Sequence, residues 1–262
     1  MDTALHEQRH RSRLSAALPG AELHPIALTG IRAILLDIEG TTTPIEFVHQ
    51  VLFPYARLRL HDYLAQHADD PGVRSDLALL RAEHDAESPR TPDLPPWNPE
   101  AYIFWLMDRD RKSTGLKALQ GRIWEAGYRA GELQGKGEVF PDVRPALTRW
   151  HDAGKTIAIY SSGSVQAQRN LFANTTAGDL TPFLSGYFDT TTGPKREAAS
   201  YRQIAAALRH PVSAVLFISD VTVELDAARA AGMRTVLCTR GPALPDDSPT
   251  DHPRIRSFAE LA

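Results

Sequence analysis

Asp37 and Glu39 close the apolar stretch of "ILLDIEGTTTP" (34–44), where Gly40 and three threonines then turn the chain. A carboxylate at the end of a buried strand can attack an electrophile, move a proton or hold a hard cation. Other apolar runs end in the same way. "TIAIY" (156–160) leads into "SSGS", Ser161 to Ser164, and "AVLFIS" (214–219) leads into Asp220, with Glu224 and Asp226 shortly after. Lys195 follows the weaker run "GYFD" (186–189), at the start of a predicted helix. Together these supply a nucleophile candidate, hydroxyls with backbone N–H groups, a cation and a further acid. Carboxylates crowded on a dry edge repel unless a cation joins them. Hard oxygen ligands of this kind suit Mg²⁺, which binds through one or two carboxylates plus phosphate and water.

Each member also has a local explanation. An Asp after a strand often serves a turn or a helix cap, and Ser161 and Ser162 could cap the helix that starts near Val165. Lysine is usually solvated. Glu224 and Asp226 sit where a helix dipole favours acids, and they are read here in that structural role. Four successive strand ends supplying these types in this order is harder to obtain from capping.

The elements that would position these groups are strands alternating with helices. The strand runs are apolar on both faces, and helical patterns such as "DVRPALTRWHDAG" and "REAASYRQIAAALR" separate them. This predicts an α/β fold: a Rossmann-like parallel sheet with helices on both faces. Open sheets of that kind bind ligands outside the carboxyl ends of their strands, where the polar groups fall. Residues 46–134 differ. They place Val48, Leu52, Tyr55 and Leu58, then Tyr102, Phe104, Trp105 and Leu106, at helical spacing, around the proline-rich "ESPRTPDLPPWNPE". A helical insertion over 46–134 is expected, with residues 1–28 as a tail and 29–45 plus 135–262 as the core. "GELQGKGEVFPD" (131–142) reads as the return hinge.

Composition narrows the class. With 42% hydrophobic residues the chain has material for a sizeable core, and a net charge of -3 gives no electrostatic case for nucleic acid or an anionic membrane. The single cysteine, Cys238, rules out an internal disulfide framework. No apolar run approaches a membrane span, and the N-terminus lacks the apolar core of a signal peptide, so a soluble cytoplasmic protein is expected, and it is taken to be a monomer. "HEQRH" (6–10) matches the H-E-x-x-H zinc motif in letters. It lies among arginines with no apolar face to hold both histidines toward a metal, and is read as coincidence.

The motifs "DIEGT", "YSSGS", a lysine before a helix and "SDVTVELDAARAAGM" resemble the four motifs of the haloacid dehalogenase-like superfamily of phosphatases. A closer resemblance is to the enolase-phosphatase family of methionine salvage, carried by "DIEGTTTPIEFVHQVLFPYAR", "GYRAGELQGKGEVFPDV", "IYSSGSVQAQRNLF" and "GDLTPFLSGYFDTTTGPKREAASY". The most specific clue is Glu39, where most superfamily phosphatases carry Asp. The resemblance spans residues from about 33 to 240. It implies that Asp37 is the nucleophile and Glu39 the general acid/base. It implies that one Mg²⁺ per chain is held by Asp37, Asp220 and the main-chain carbonyl of Glu39. Ser161, Ser162 and Lys195 would bind the phosphoryl group, and the helical insertion would be a cap. The implied substrate is 2,3-diketo-5-methylthiopentyl 1-phosphate, with the enolising base unassigned. Two other readings compete: a capped phosphatase of the same superfamily with another small-metabolite substrate, and a non-catalytic binding protein of the same fold.

Overall fold

The computed structural model describes residues 25–87, 91–111, 113–240 and 250–262. Its centre is a six-stranded, wholly parallel sheet in the order β3-β2-β1-β4-β5-β6. In chain order the strands are β1 (Ala33–Leu36), β2 (Thr156–Tyr160), β3 (Gly186–Phe188), β4 (Val215–Ser219), β5 (Arg234–Cys238) and β6 (Arg254–Ile255). The α/β class, the parallel sheet and its two helical faces are as the sequence predicts. β1 and β4 are buried along their whole length, which is why they read as continuous apolar runs.

Side chains alternate between the faces. Ile34, Leu36, Ile157, Ile159, Leu216 and Ile218 point to a layer that contains α6 (Val143–Asp152) and α7 (Val165–Ala173). Ala33, Leu35, Ala158, Tyr160, Val215 and Phe217 pack against α8 (Ala198–Ala207) and α9 (Thr222–Ala231). The sheet reverses its strand order beside β1, the position at which open α/β sheets form their ligand crevice.

Between β1 and α6 the chain is helical. α1 (Ile45–Phe47) runs through a π-helical turn (Val48–Leu52) into α2 (Phe53–Gln66), followed by α3 (Pro71–Glu87), α4 (Pro99–Asp108) and α5 (Thr114–Arg129). Local chemistry sets several of these starts. Asn98 accepts from the Ala101 N–H before α4, Ser113 accepts from the Leu116 N–H before α5, and Pro99 occupies the first turn of α4. These helices have their own core, built from Leu60, Leu80, Tyr102, Trp105, Leu119 and Ile123 among others. The indole N–H of Trp124 donates to the Leu52 carbonyl at 2.8 Å, so α5 is tied to the π-helical turn.

The two connections between this helical group and the sheet are bonded to each other, the Phe140 N–H donating to the Thr42 carbonyl. Arg240 clamps the same junction. It donates to the Thr41 carbonyl, pairs with Asp142 at 2.6 Å and stacks between Phe140 and Phe258. Two edge features were not legible in the sequence. β6 is only two residues long, and Ile26 bridges to Leu261 while Leu28 is buried. The residues 25–28 therefore pack on the C-terminal segment. "HEQRH" lies outside the described residues.

Candidate active site

Asp37 directly follows β1. Strand register sets it level with Tyr160 on β2 and with Ser219 on β4, and sets Asp220 level with Ile38. The Asp37 N–H still bonds to the Ile218 carbonyl, so the side chain leaves the sheet where the ladder ends. The N–H groups of Thr41, Thr42 and Thr43 all return to the Ile38 carbonyl, and the Thr42 hydroxyl donates to the carbonyls of Asp37 and Ile38. This compact turn holds Glu39 at the rim. Gly40 has φ +69°, and a Cβ there would collide with the Asp220 carboxylate. Glycine thus permits both the turn and the close approach of Asp220.

Lys195 reaches the same point from 158 residues away. Its ammonium pairs with Asp37 Oδ1 at 2.8 Å and Glu224 Oε2 at 2.6 Å, and all three side chains are largely buried. Asp37 Oδ1 also accepts from the Ile38 N–H at 2.8 Å, and Oδ2 accepts from the Ser219 hydroxyl at 2.9 Å. Three successive carbonyls fix the lysine backbone. Tyr160 donates to Gly193, Ser200 to Pro194 and Tyr201 to Lys195. Pro194 leaves the approach of the lysine intact.

The serines fall on the neighbouring strand end. Ser161 is buried and follows β2 directly, its N–H donating to the Phe188 carbonyl and its hydroxyl accepting from the Gly163 N–H. Ser162 is exposed beside it, and Ser164 caps α7 by accepting from the Ala167 N–H. The structure thus joins Asp37 and Lys195 directly and puts Asp220 against the Glu39 turn. Ser161 and Ser162 lie at the next strand end.

Glu224 is the member that reading the sequence assigned to the helix dipole. It does sit in the first turn of α9, but its carboxylate is half of the Lys195 pair. The available signal was its closeness in sequence to Asp220, four residues earlier and directly after β4. Asp226 faces elsewhere and pairs with Arg229 and His252. Cys238 is buried, with its thiol pKa pushed up to about 11 by burial, which leaves it inert.

Four carboxylates and one buried ammonium share this edge. Desolvation, and then the charge of Asp37, raises the Asp220 pKa to about 6 although Asp220 is accessible at the rim. The same two causes raise Glu224 to about 7 and raise Glu39. Burial pulls the Lys195 ammonium down, but the two carboxylates it touches outweigh this and raise its pKa. Among the described residues no cluster of three or more His, Cys, Asp or Glu side chains forms a metal cage. Mg²⁺ does not need one, because one or two carboxylates with waters and phosphate suffice. The lysine pairs with Asp37 and Glu224 but with neither Asp220 nor Glu39, so the edge keeps carboxylate charge of the kind a hard cation joins.

These shifts have a consequence for stability. Asp220 and Glu224 bind protons more tightly in the folded chain than at their ordinary values of 3.8 and 4.5. Between those values and about 6 and about 7 the folded state carries extra protons, so stability falls as pH rises through that window. Metal-free protein is expected to show a lower urea midpoint at about pH 8 than at about pH 5. Glu224→Gln should flatten that slope. Lys195 acts only at pH above the ordinary lysine range, outside this window.

The haloacid dehalogenase-like hydrolase family model matches residues 31–232. An "Enolase-phosphatase E1" of Synechococcus elongatus is 55% identical over 243 residues, covering 90% of this chain and 99% of that protein. One of Pseudomonas aeruginosa is 49% identical over 234 residues, covering 88% and 98%. Among solved structures, the UTR4 protein of Saccharomyces cerevisiae superposes with a TM-score of 0.69 at 33% identity, over 88% of this chain and 100% of that one.

Proposed function

This chain belongs to the enolase-phosphatase family of the haloacid dehalogenase-like hydrolases, and from that membership we propose the following activity. The chain converts 2,3-diketo-5-methylthiopentyl 1-phosphate to 1,2-dihydroxy-3-keto-5-methylthiopentene plus phosphate, as a Mg²⁺-dependent, cytoplasmic monomer of the methionine salvage route. Among the described residues no helix is long and apolar enough to cross a membrane.

Bound Mg²⁺, held by Asp37, Asp220 and the Glu39 carbonyl, would neutralise phosphoryl charge. The residues of the chain do the rest. The Ile38 N–H and the Ser219 hydroxyl fix both oxygens of Asp37, so the nucleophile is oriented before substrate arrives. Carbon one first loses a proton to the unassigned base, and its electron pair forms the enol as the neighbouring carbonyl oxygen gains a proton. An Asp37 oxygen then bonds to phosphorus as the bond to the ester oxygen breaks. Lys195 and the N–H groups of Ser162 and Ser164, which meet no protein acceptor among the described residues, hold the equatorial oxygens. Glu39, whose pKa is raised by burial and then by the charge of Asp37, gives its proton to the leaving oxygen. It then takes a proton from the water that attacks phosphorus, the bond to Asp37 breaks, and phosphate leaves. Helices α2–α5 form the cap that excludes bulk water during these steps.

The observation that carries this reading is the 2.8 Å contact of Lys195 with Asp37 at the carboxyl edge of β1, with Asp220 on the adjoining strand. Two carboxylates and a fixed cation around one point support reading Asp37 as the nucleophile and Asp220 as a metal ligand. Product analysis tests it. Anaerobic incubation of the diketo phosphate with protein and Mg²⁺ should release phosphate and acireductone in equal amounts. Release of phosphate with the 1-hydroxy diketone alone would make the chain a plain capped phosphatase.

A further inference from the structure

We propose that Gln168 is a positioning residue for phosphate recognition, aiming the Ser164 N–H at the phosphoryl group. This rests on the reading of the Ser161–Ser164 turn as the phosphate site. Gln168 lies in the first half of α7 and is 1% exposed. Its side-chain amide donates to the Gly163 carbonyl at 2.8 Å and to the Phe188 carbonyl at 2.8 Å, while its own oxygen is buried without a partner. Only the NH₂ end can serve two carbonyls, so the orientation of the amide is fixed. A buried amide oxygen left unpaired costs stability, and the two hydrogen bonds made by the other end of the side chain offset that cost.

The geometry supplies the need. In a trans peptide the C=O and N–H point in opposite directions. Gln168 draws the Gly163 carbonyl toward the body of α7, which turns the Ser164 N–H of the same peptide outward, beyond the N-terminus of the helix. Among the described residues no protein acceptor meets the N–H of Ser162 or of Ser164, whereas those of Ser161, Gly163 and Val165 are all bonded. The Phe188 carbonyl accepts from both Gln168 and the Ser161 N–H, so the same side chain also fixes the start of the turn to β3. Two free N–H groups at a helix N-terminus suit a phosphoryl anion.

Gln168→Met removes both donors at similar volume. Gln168→Glu presents acceptors to two carbonyls, which favours flipping the Gly163–Ser164 peptide and putting an oxygen where the anion binds. Orthophosphate affinity, measured by calorimetry with Mg²⁺ present, should weaken about tenfold in Gln168→Met and further in Gln168→Glu. KM should rise in parallel, with kcat and the Mg²⁺ half-saturation point little changed, because the metal ligands lie on β1 and β4. Ser161→Ala separates the two layers of the argument. If it weakens orthophosphate binding while folded Gln168→Met does not, the role of Gln168 is overturned and the phosphate turn stands. If neither variant changes binding, the turn is not the phosphate site and both readings fall. Should the variants not fold, the wild-type protein decides. Orthophosphate should shift the Ser164 amide resonance and slow its hydrogen exchange, and an unresponsive Ser164 amide would overturn the proposal.

Discussion

Asp37→Asn is expected to abolish phosphate release, lowering kcat by about 10⁴-fold or more, as loss of a covalent nucleophile does elsewhere. The change is nearly isosteric. The Asn carbonyl oxygen can still accept from Ile38 or Ser219, so the sheet edge should stay formed. Lys195 keeps Glu224 as a partner. The charge of Asp37 is the second cause of the raised pKa values of Asp220 and Glu224, so both should fall toward ordinary carboxylate values in the variant. On the proposed order, in which enolisation precedes transfer to Asp37, carbon-one protons of the diketo phosphate should still exchange with solvent deuterium above the Mg²⁺-only background. Near-normal turnover would remove the aspartyl-phosphate route. Exchange at background rate in folded, substrate-binding protein would make Asp37 the enolising base or remove enolisation as a separate first step.

Lys195→Met should damage both stability and chemistry. The ammonium sits between two carboxylates at 2.8 and 2.6 Å, and its removal leaves them uncompensated. Breaking a buried pair by deleting one partner costs about 3–5 kcal/mol. The loss should be largest above neutrality and smaller at about pH 5, since Glu224 then holds a proton and relieves the repulsion. Without the lysine its pKa should climb further, because Lys195 acts to lower it. Turnover should fall about 10³-fold even under conditions where circular dichroism reports a fully folded variant, because a fixed cation on the transferring phosphoryl is lost. A folded Lys195→Met with wild-type kcat and KM would reduce the lysine to a structural counter-ion.

Local sequence determined the strand ends. Asp37 and Asp220 each follow a continuous apolar run, and a run buried on both faces has few choices but a central parallel strand. Both acids were legible as residues at strand ends on one sheet edge, and they become neighbours by register because β1 pairs with β4. The helical character of the 46–134 segment was legible from spacing in the same way. The partners of Lys195 were not. The lysine lies in a loop whose path is set by hydrogen bonds from Tyr160, Ser200 and Tyr201, two of them on a later helix and one on a distant strand. Glu224 illustrates the same limit, since a helix dipole accounts for an acid at that position as well as an ion pair does until the lysine is seen to arrive.

Ser161 and Ser162 are chemically identical in the sequence, and only packing against β3 buries one and exposes the other. Gln168 reads as an ordinary polar position on an amphipathic helix, and its burial follows from the course of two carbonyls supplied by another turn and another strand. The order of the strands is of the same kind. Alternating strands and helices require a parallel sheet, but which strand lies beside β1 depends on crossovers between segments far apart in the chain. Sequence by itself therefore determined which residue types stand at strand ends, because hydrophobic periodicity and turn chemistry act over a few residues. Tertiary structure decided which of them meet and at what protonation, because charge pairing and desolvation depend on groups brought together from across the chain.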